Sequence, residues 1–308
     1  MIKPIKIGNL HLDNNLFLAP MSGVSNVAFR LLCRKYGASL CFTEFVNSHS
    51  ILNQNLNEID RLKTDLTDKP LGIQIFGNDI NSLMLAASKV ESNADIVDLN
   101  LGCPAYRIIR SGCGSELLKN ISKVKDIVGG IVNSVSCPVS VKIRSGIDFN
   151  NINAVEIAKA CEEVGVKMIT VHGRTQKQGY SGKSDLLIIK AVKNAVNIPV
   201  IANGDITDYN NALKTFEFTG CDGIMIGRAA MTNPSIFREI ITGNKNSVDK
   251  LELLNEYYIL LKKYDLGFVS LKENALNFMR GIYGASELRS KISSFKSFED
   301  FDLFLSKS

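Results

Sequence analysis

Long apolar runs are missing from this chain, so nothing in it reads as a membrane-spanning helix, and no membrane partner is expected. The opening residues, MIKPIKIGNLHLDNN, lack the apolar segment of a secretory leader, which points to a cytoplasmic protein. No CxxC pair occurs. The seven cysteines (Cys33, Cys41, Cys103, Cys113, Cys137, Cys161, Cys221) are odd in number and scattered, which argues against a disulfide framework and a cysteine-rich zinc site. Nor do the three histidines (His11, His49, His172) show metal-ligand spacing, so no metal is expected. Blocks of like charge are absent too. The net charge of +5 tolerates a polyanionic partner without requiring one.

What is present is a 308-residue chain, 45% hydrophobic, enough for one large core and a small second domain. Eight short runs rich in β-branched residues recur: Leu16–Ala19, Ser39–Glu44, Leu71–Phe76, Ile96–Asn100, Val139–Arg144, Met168–His172, Val200–Asn203 and Gly223–Gly227. Several are near-continuously apolar, as expected for parallel strands buried on both faces. Segments such as SNVAFRLLCRKYG, NDINSLMLAASKVESN and NAVEIAKACEEVG lie between them, with apolar residues three and four apart and Ser, Asn or Asp at their starts. Strand–helix alternation eight times over about 240 residues predicts an α/β fold, a (β/α)8 TIM barrel over residues 1–242. A doubly wound open sheet is the runner-up, but no GxGxxG follows the first strand. TGNKNSVDK then reads as a polar linker and residues 248–308 as a small all-helical domain, with KLELLNEYYILLKKY and VSLKENALNFMRGIYG as amphipathic helices.

In such a barrel, chemistry collects at the C-terminal ends of the strands. The first ends in LAPMSGVS, where Pro20 and Gly23 stiffen a loop; its plain reading is a turn ahead of a helix near Ser25. On the third, Gln74 alternates with isoleucines. It is either a satisfied core amide or a partner for the edge of a heteroaromatic ring. The fourth carries Asn100 into DLNLGCP, so Cys103 sits at a strand exit where Pro104 holds the preceding backbone extended. The fifth, VSVKIRSG, puts Lys142 and Arg144 on one face by the two-residue strand period. Two inward cations need internal salt bridges or an anionic or polarised ligand. The sixth closes on His172 and opens the Gly-rich loop HGRTQKQGYSG. The seventh and eighth end in IANGDI and IMIGRAAM, both offering backbone N–H groups beside glycine ahead of a helix. That is a phosphate cradle, to which Arg228 can add a bidentate contact. One phosphate site, a lysine, an amide and a thiol around one mouth suit a phosphorylated ring cofactor such as flavin mononucleotide (FMN) better than a metal.

Nine motifs in order, LAPMSGVSNVAFR, TEF, QIFG, DLNLGCP, GCGSELL, VKIRSG, HGRTQKQGYSG, IPVIANGDI and DGIMIGRAAMTNP, resemble the tRNA-dihydrouridine synthases, most of all the B-type bacterial branch and its archaeal relatives. The resemblance implies an FMN held by Pro20, Met21, Ser22, Gln74 and Lys142. It assigns His172 and its loop, Asn203, Gly204, Asp205, Gly227 and Arg228 to the ribityl phosphate. Cys103 is then the proton donor, and Asn100 and Arg144 contact the target uracil or the flavin. The implied activity is an oxidoreductase reaction on tRNA: D-loop uridines become 5,6-dihydrouridine by hydride transfer from reduced FMN to C6 and proton transfer from Cys103 to C5. NADPH or NADH reloads the flavin at the same mouth. The target base must be flipped or loop-exposed, and the helical tail holds the rest of the tRNA largely through phosphates.

The tail departs from the family. Where an Arg-Lys-His cluster usually precedes an aromatic pair, this chain reads KENALNFMRG, with Asn277-Phe278 at the pair. Cys113, in the turn SGCGSELL, reads as incidental, and a monomer is expected. Two rivals stand beside this reading. One is an FMN-dependent free-pyrimidine oxidoreductase of the dihydroorotate dehydrogenase kind, which shares the barrel. The other is a tRNA-binding protein that has lost catalysis. The tail and the GCP and HGRT contexts weigh against the first; Cys103, Lys142 and the phosphate loops weigh against the second.

Overall fold

Each of the eight apolar runs forms a strand: β1 (Leu16–Leu18), β2 (Leu40–Phe42), β3 (Leu71–Phe76), β4 (Ile96–Leu101), β5 (Val139–Arg144), β6 (Met168–His172), β7 (Val200–Asn203) and β8 (Gly223–Ile226). This computed structural model describes residues 1–245, 248–281 and 284–305. Every strand pairs in parallel with the next, and β8 returns to β1 (Met225 opposite Phe17), so the sheet closes into a barrel. The helices α1 (Val27–Lys35), α2 (Ile80–Val90), α3 (Ile121–Ser134), α4 (Ala154–Glu163), α5 (Leu186–Ala195) and α6 (Tyr209–Thr219) fill most crossovers. Asn26, Asp79, Asn120, Asp185 and Asp208 cap five of these by accepting a backbone N–H of the first turn. After β2 the regular alternation breaks into short turns at Ser48–Leu52 and Leu56–Ile59.

The two-residue period sorts the strand residues. Val97, Leu99, Val141, Ile143, Ile169 and Val171 pack outward under the helices. Ile96, Met168, Ile201 and Met225 point inward with Phe17 and Leu40 and form a separate apolar cluster inside the barrel. A hairpin, Ile5–Ile7 with Leu10–Leu12, adds Ile7 and Leu12 to that cluster. Further along the same inward faces the residues turn polar: Asp98 and Asn100 on β4, Ser140 and Lys142 on β5, Thr170 and His172 on β6. An apolar plug thus sits below a polar mouth.

After β8, α7 (Ile236–Thr242) leads to α8 (Lys250–Lys263), α9 (Phe268–Phe278), α10 (Ala285–Ser294) and α11 (Phe298–Leu305). Linker positions 246 and 247, positions 282 and 283 at the end of the second predicted tail helix, and positions 306–308 of the predicted helical domain lie outside the described residues. Among those described, no helix is long and apolar enough to cross a membrane.

Candidate active site

The strand ends surround a cavity of about 1080 Å³, and every residue singled out in the sequence as a catalytic, cofactor or substrate contact lies on its wall. Strand register explains the gathering. Asn100 of β4 pairs with Lys142 of β5, Arg144 with His172 of β6, and His172 with Asn203 of β7.

Cys103 is half-buried at the exit of β4. Its backbone N–H and that of Gly102 both donate to the Asn100 Oδ1, at 2.9 and 3.1 Å. Its carbonyl accepts the Ser115 hydroxyl at 2.7 Å. Gly114, at φ +60°, closes this turn. A Cβ there would lie 2.9 Å from the Cys103 carbonyl oxygen, so only glycine fits. Burial pushes the Cys103 thiol up, while the Ala105 N–H, Arg144 and Lys142 pull it back. The thiol therefore keeps its proton at neutral pH. Cys113, ten residues on, is buried and off the cavity wall.

A buried polar chain supports this turn. Asn100 Nδ2 donates to Gln74 Oε1 (2.8 Å), Gln74 Nε2 donates to Asp98 Oδ2 (2.6 Å), and Ser140 Oγ donates to Asp98 Oδ1 (2.5 Å). Desolvation raises the Asp98 carboxyl to about 6, with Gln74, Ser140 and Lys142 opposing the rise. Gln74 is thus a satisfied core amide and a cavity-wall residue at once.

The two inward cations form no internal salt bridges among the described residues. Lys142 Nζ donates to Asn203 Oδ1 at 2.8 Å. Burial, then Arg144, lower Lys142 to about 8, so it remains cationic at pH 7. Arg144 donates to three carbonyls, those of Gly102 (2.8 Å), Thr175 (2.8 Å) and Gly179 (2.7 Å), tying the cysteine turn to the loop after β6. His172 accepts the Arg174 N–H on Nδ1 at 3.2 Å. Burial and the surrounding Lys142, Arg144, Arg174 and Arg228 depress it to about 2, so it is a neutral ring with Nε2 protonated.

At the far end, Gly204 adopts φ +117°, and a Cβ on it would come within 2.5 Å of the Ser184 hydroxyl. Asp205 faces two guanidiniums, Arg174 at 2.9 Å and Arg228 at 3.1 Å. One carboxylate for two arginines leaves a positive charge beside the start of the Arg228–Thr232 turn, an anion-binding arrangement.

Sequence reasoning passed over Asp98, Phe45 and Tyr180. Asp98 did carry a signal, a charge inside an otherwise apolar strand. The Tyr180 ring, 62% exposed on the cavity rim, lies 5.0 Å from the Arg228 guanidinium and 5.7 Å from that of Arg144. Among the described residues there is no cluster of His, Cys, Asp or Glu that could hold a metal ion.

A family model described as Dihydrouridine synthase (Dus) matches residues 17–302. The tRNA-dihydrouridine synthase B of Pseudomonas putida (strain KT2440) is 42% identical over 238 residues, covering 77% of this chain and 70% of that protein. Its counterpart in Pseudomonas aeruginosa (strain PAO1) is 44% identical over 237 residues, covering 77% and 71%. A Rickettsia conorii protein named "Probable tRNA-dihydrouridine synthase" is 37% identical over 304 residues, covering 94% of this chain and 91% of its own. Among solved structures, a 2-naphthoyl-CoA reductase in complex with 2-naphthoyl-CoA superposes with TM-score 0.62 at 15% identity, over 79% of this chain. The 6-hydroxypseudooxynicotine amine oxidase of Pseudomonas geniculata N1 gives 0.65 at 12% identity, over 82%. The chain spans about half of each of these two proteins (52%), and the likeness is one of fold.

Proposed function

Because the chain belongs to the dihydrouridine synthase family, we propose that it reduces uridines in the D-loop of tRNA to 5,6-dihydrouridine, with a bound FMN and with Cys103 as the acid. The observation that carries this reading is Cys103, its backbone held by Asn100 and Ser115 at the mouth of a cavity whose other walls suit a phosphorylated, carbonyl-rich ring. Lys142 and the Gln74 and Asn100 amides supply donors for ring carbonyls. The Gly204 turn, with Arg174 and Arg228 sharing Asp205, fits a phosphate. These residues fit an FMN, which when bound supplies the hydride for C6 of the uracil.

The chain's own residues do the rest. Asn100 holds the Cys103 backbone, which limits the positions from which the thiol can deliver its proton to C5. Arg144 and Lys142, whose charges pull the thiol down, stabilise the thiolate left behind. Arg144 also fixes Gly102 and the loop at 175–179, keeping the mouth in shape as the base enters. His172, neutral among four cations, offers an Nε2–H without adding charge. A nicotinamide dinucleotide, NADPH or NADH, would supply the reducing equivalents at the same mouth. The barrel of residues 1–242 carries the chemistry, and the helices from 248 onward hold the tRNA. The names of the relatives support tRNA over a free pyrimidine as substrate.

Cys103→Ala tests the assignment. The variant should retain its flavin absorbance and its affinity for unmodified tRNA while dihydrouridine formation falls about 100-fold or more, the ordinary contribution of a positioned general acid. Full activity in the variant would remove Cys103 from the mechanism.

A further inference from the structure

The geometry points to Asp98 as the positioning residue that fixes which way the Gln74 and Asn100 amides face and, through them, the backbone of Cys103. Asp98 touches neither the cavity nor the thiol. It is 1% exposed, in register with Gln74 on β3 and with Ser140 on β5.

The oxygen and nitrogen of a side-chain amide are nearly isosteric, so Gln74 and Asn100 each fit their places in two orientations, and packing does not choose between them. Hydrogen-bond polarity does. A carboxylate only accepts, so Gln74 must turn Nε2 toward Asp98 Oδ2 (2.6 Å), which leaves Oε1 for the Asn100 Nδ2 (2.8 Å). Asn100 must then aim Oδ1 at the N–H groups of Gly102 and Cys103, which only donate. The relay is anchored at both ends, by an acceptor without protons below and by donors without lone pairs above. Reversing the amides would set donor against donor at the Cys103 turn. With this sense fixed, Gln74 and Asn100 each keep a second N–H for a carbonyl oxygen of whatever occupies the cavity. Ser140 donates to Asp98 but is no part of the sequence of bonds leading to Cys103. The meaning of the relay for catalysis rests on the reading of Cys103 given above; the relay itself does not.

The test is the rate at which iodoacetamide alkylates Cys103, mapped by mass spectrometry in the purified full-length protein. Asp98→Asn replaces the charge-assisted bond to Gln74 by a weaker neutral one and leaves the sense held only by the N–H groups above, so the turn loosens. Alkylation should rise by up to about tenfold, the size of the difference between a hydrogen bond to a charged group and one to a neutral group. In Gln74→Glu/Asp98→Asn the charge moves one residue along: the new carboxylate accepts from both position 98 and Asn100, and the rate should return to within about twofold of wild type. Ser140→Ala should alkylate as wild type does. An unchanged rate in Asp98→Asn, no rescue in the double variant, or equal loosening in Ser140→Ala overturns the proposal. Should Asp98→Asn fail to fold, the double variant decides alone: it must fold and protect Cys103, and failure of either sinks the idea. The readout needs no turnover. An active Cys103→Ala protein would therefore cancel the donor role and leave the relay standing.

Discussion

Burial drives Cys103, Asp98 and His172 at the barrel mouth away from their ordinary protonation ranges, and each shift has a measurable sign. Cys103 is held above the ordinary thiol value of 9.0. Its alkylation rate should therefore still be rising at pH 9, where a free thiol begins to level off; a plateau below pH 8 would mean that the cations outweigh desolvation. Asp98 and His172 act on stability in opposite senses. His172 falls from 6.5 to about 2 on folding, so below pH 6.5 the unfolded chain binds a proton that the native state refuses, and stability drops as pH falls. Asp98 rises from 3.8 to about 6, so the native state takes up its proton first, and stability grows as pH falls from about 6 toward 3.8. Each contributes about 1.4 kcal/mol per pH unit at full slope, and between pH 6 and 4 they nearly cancel. Asp98→Asn removes only the compensating half. Urea denaturation between pH 6 and 4 should show the variant losing stability more steeply than wild type; parallel curves would contradict the assigned shifts.

At the scale of elements, one buried ion pair fastens α1 to the segment leading into β3. Arg30 and Asp68 are both fully buried, with Arg30 Nε donating to Asp68 Oδ2 at 2.8 Å and its other nitrogens reaching the carbonyls of Ser25 and Lys63. Arg34 adds a second guanidinium at 3.1 Å. Asp68→Ala strands a buried positive charge and should cost about 3–5 kcal/mol in denaturant unfolding, whereas an exposed pair such as Lys125–Glu163 should be worth under about 1 kcal/mol. Neither partner stands out in the sequence, since long-range pairs leave no local period. The same distinction governs what was legible. The eight barrel strands were readable because a strand buried on both faces must be apolar along its length, and each of the eight falls within about two residues of its run. The residues at their ends were readable because strand exits are where an (β/α)8 barrel places polar groups. The hairpin at Ile5–Leu12 was not, because three-residue strands are too short to show alternation. Nor was the fate of Lys142 and Arg144: the sequence put both on one inward face, but only the fold brings Asn203 and the carbonyls of Gly102, Thr175 and Gly179 to them.

Across the whole molecule, the helical tail is wired to the loop at the cavity's edge rather than merely appended to it. Asn26, which caps α1 directly after the loop containing Met21 and Ser22, donates to the Tyr257 hydroxyl of α8 at 2.9 Å. Asn274 of α9 donates to the same hydroxyl at 3.0 Å. Around this polar centre the Phe29 ring of α1 stacks on Phe278 of α9, with centroids 6.2 Å apart, and Tyr257 meets both rings edge-on. All three rings are buried in an apolar core that runs without a break from the barrel helices into the tail. Phe278, part of the pair that departs from the family's aromatic pattern, is thus a packing residue with no face left for RNA. A core shared in this way should unfold as one unit. Phe278→Ala should cost about 3–5 kcal/mol, the usual range for deleting a buried aromatic ring. The loss should appear equally in far-UV circular dichroism, which sees the tail helices, and in the fluorescence of released flavin, which reports the barrel mouth. Coincident transitions shifted by the same denaturant concentration are the expected result. A circular dichroism curve that splits in two, with flavin release where wild type has it, would show instead that the tail unfolds as a domain of its own.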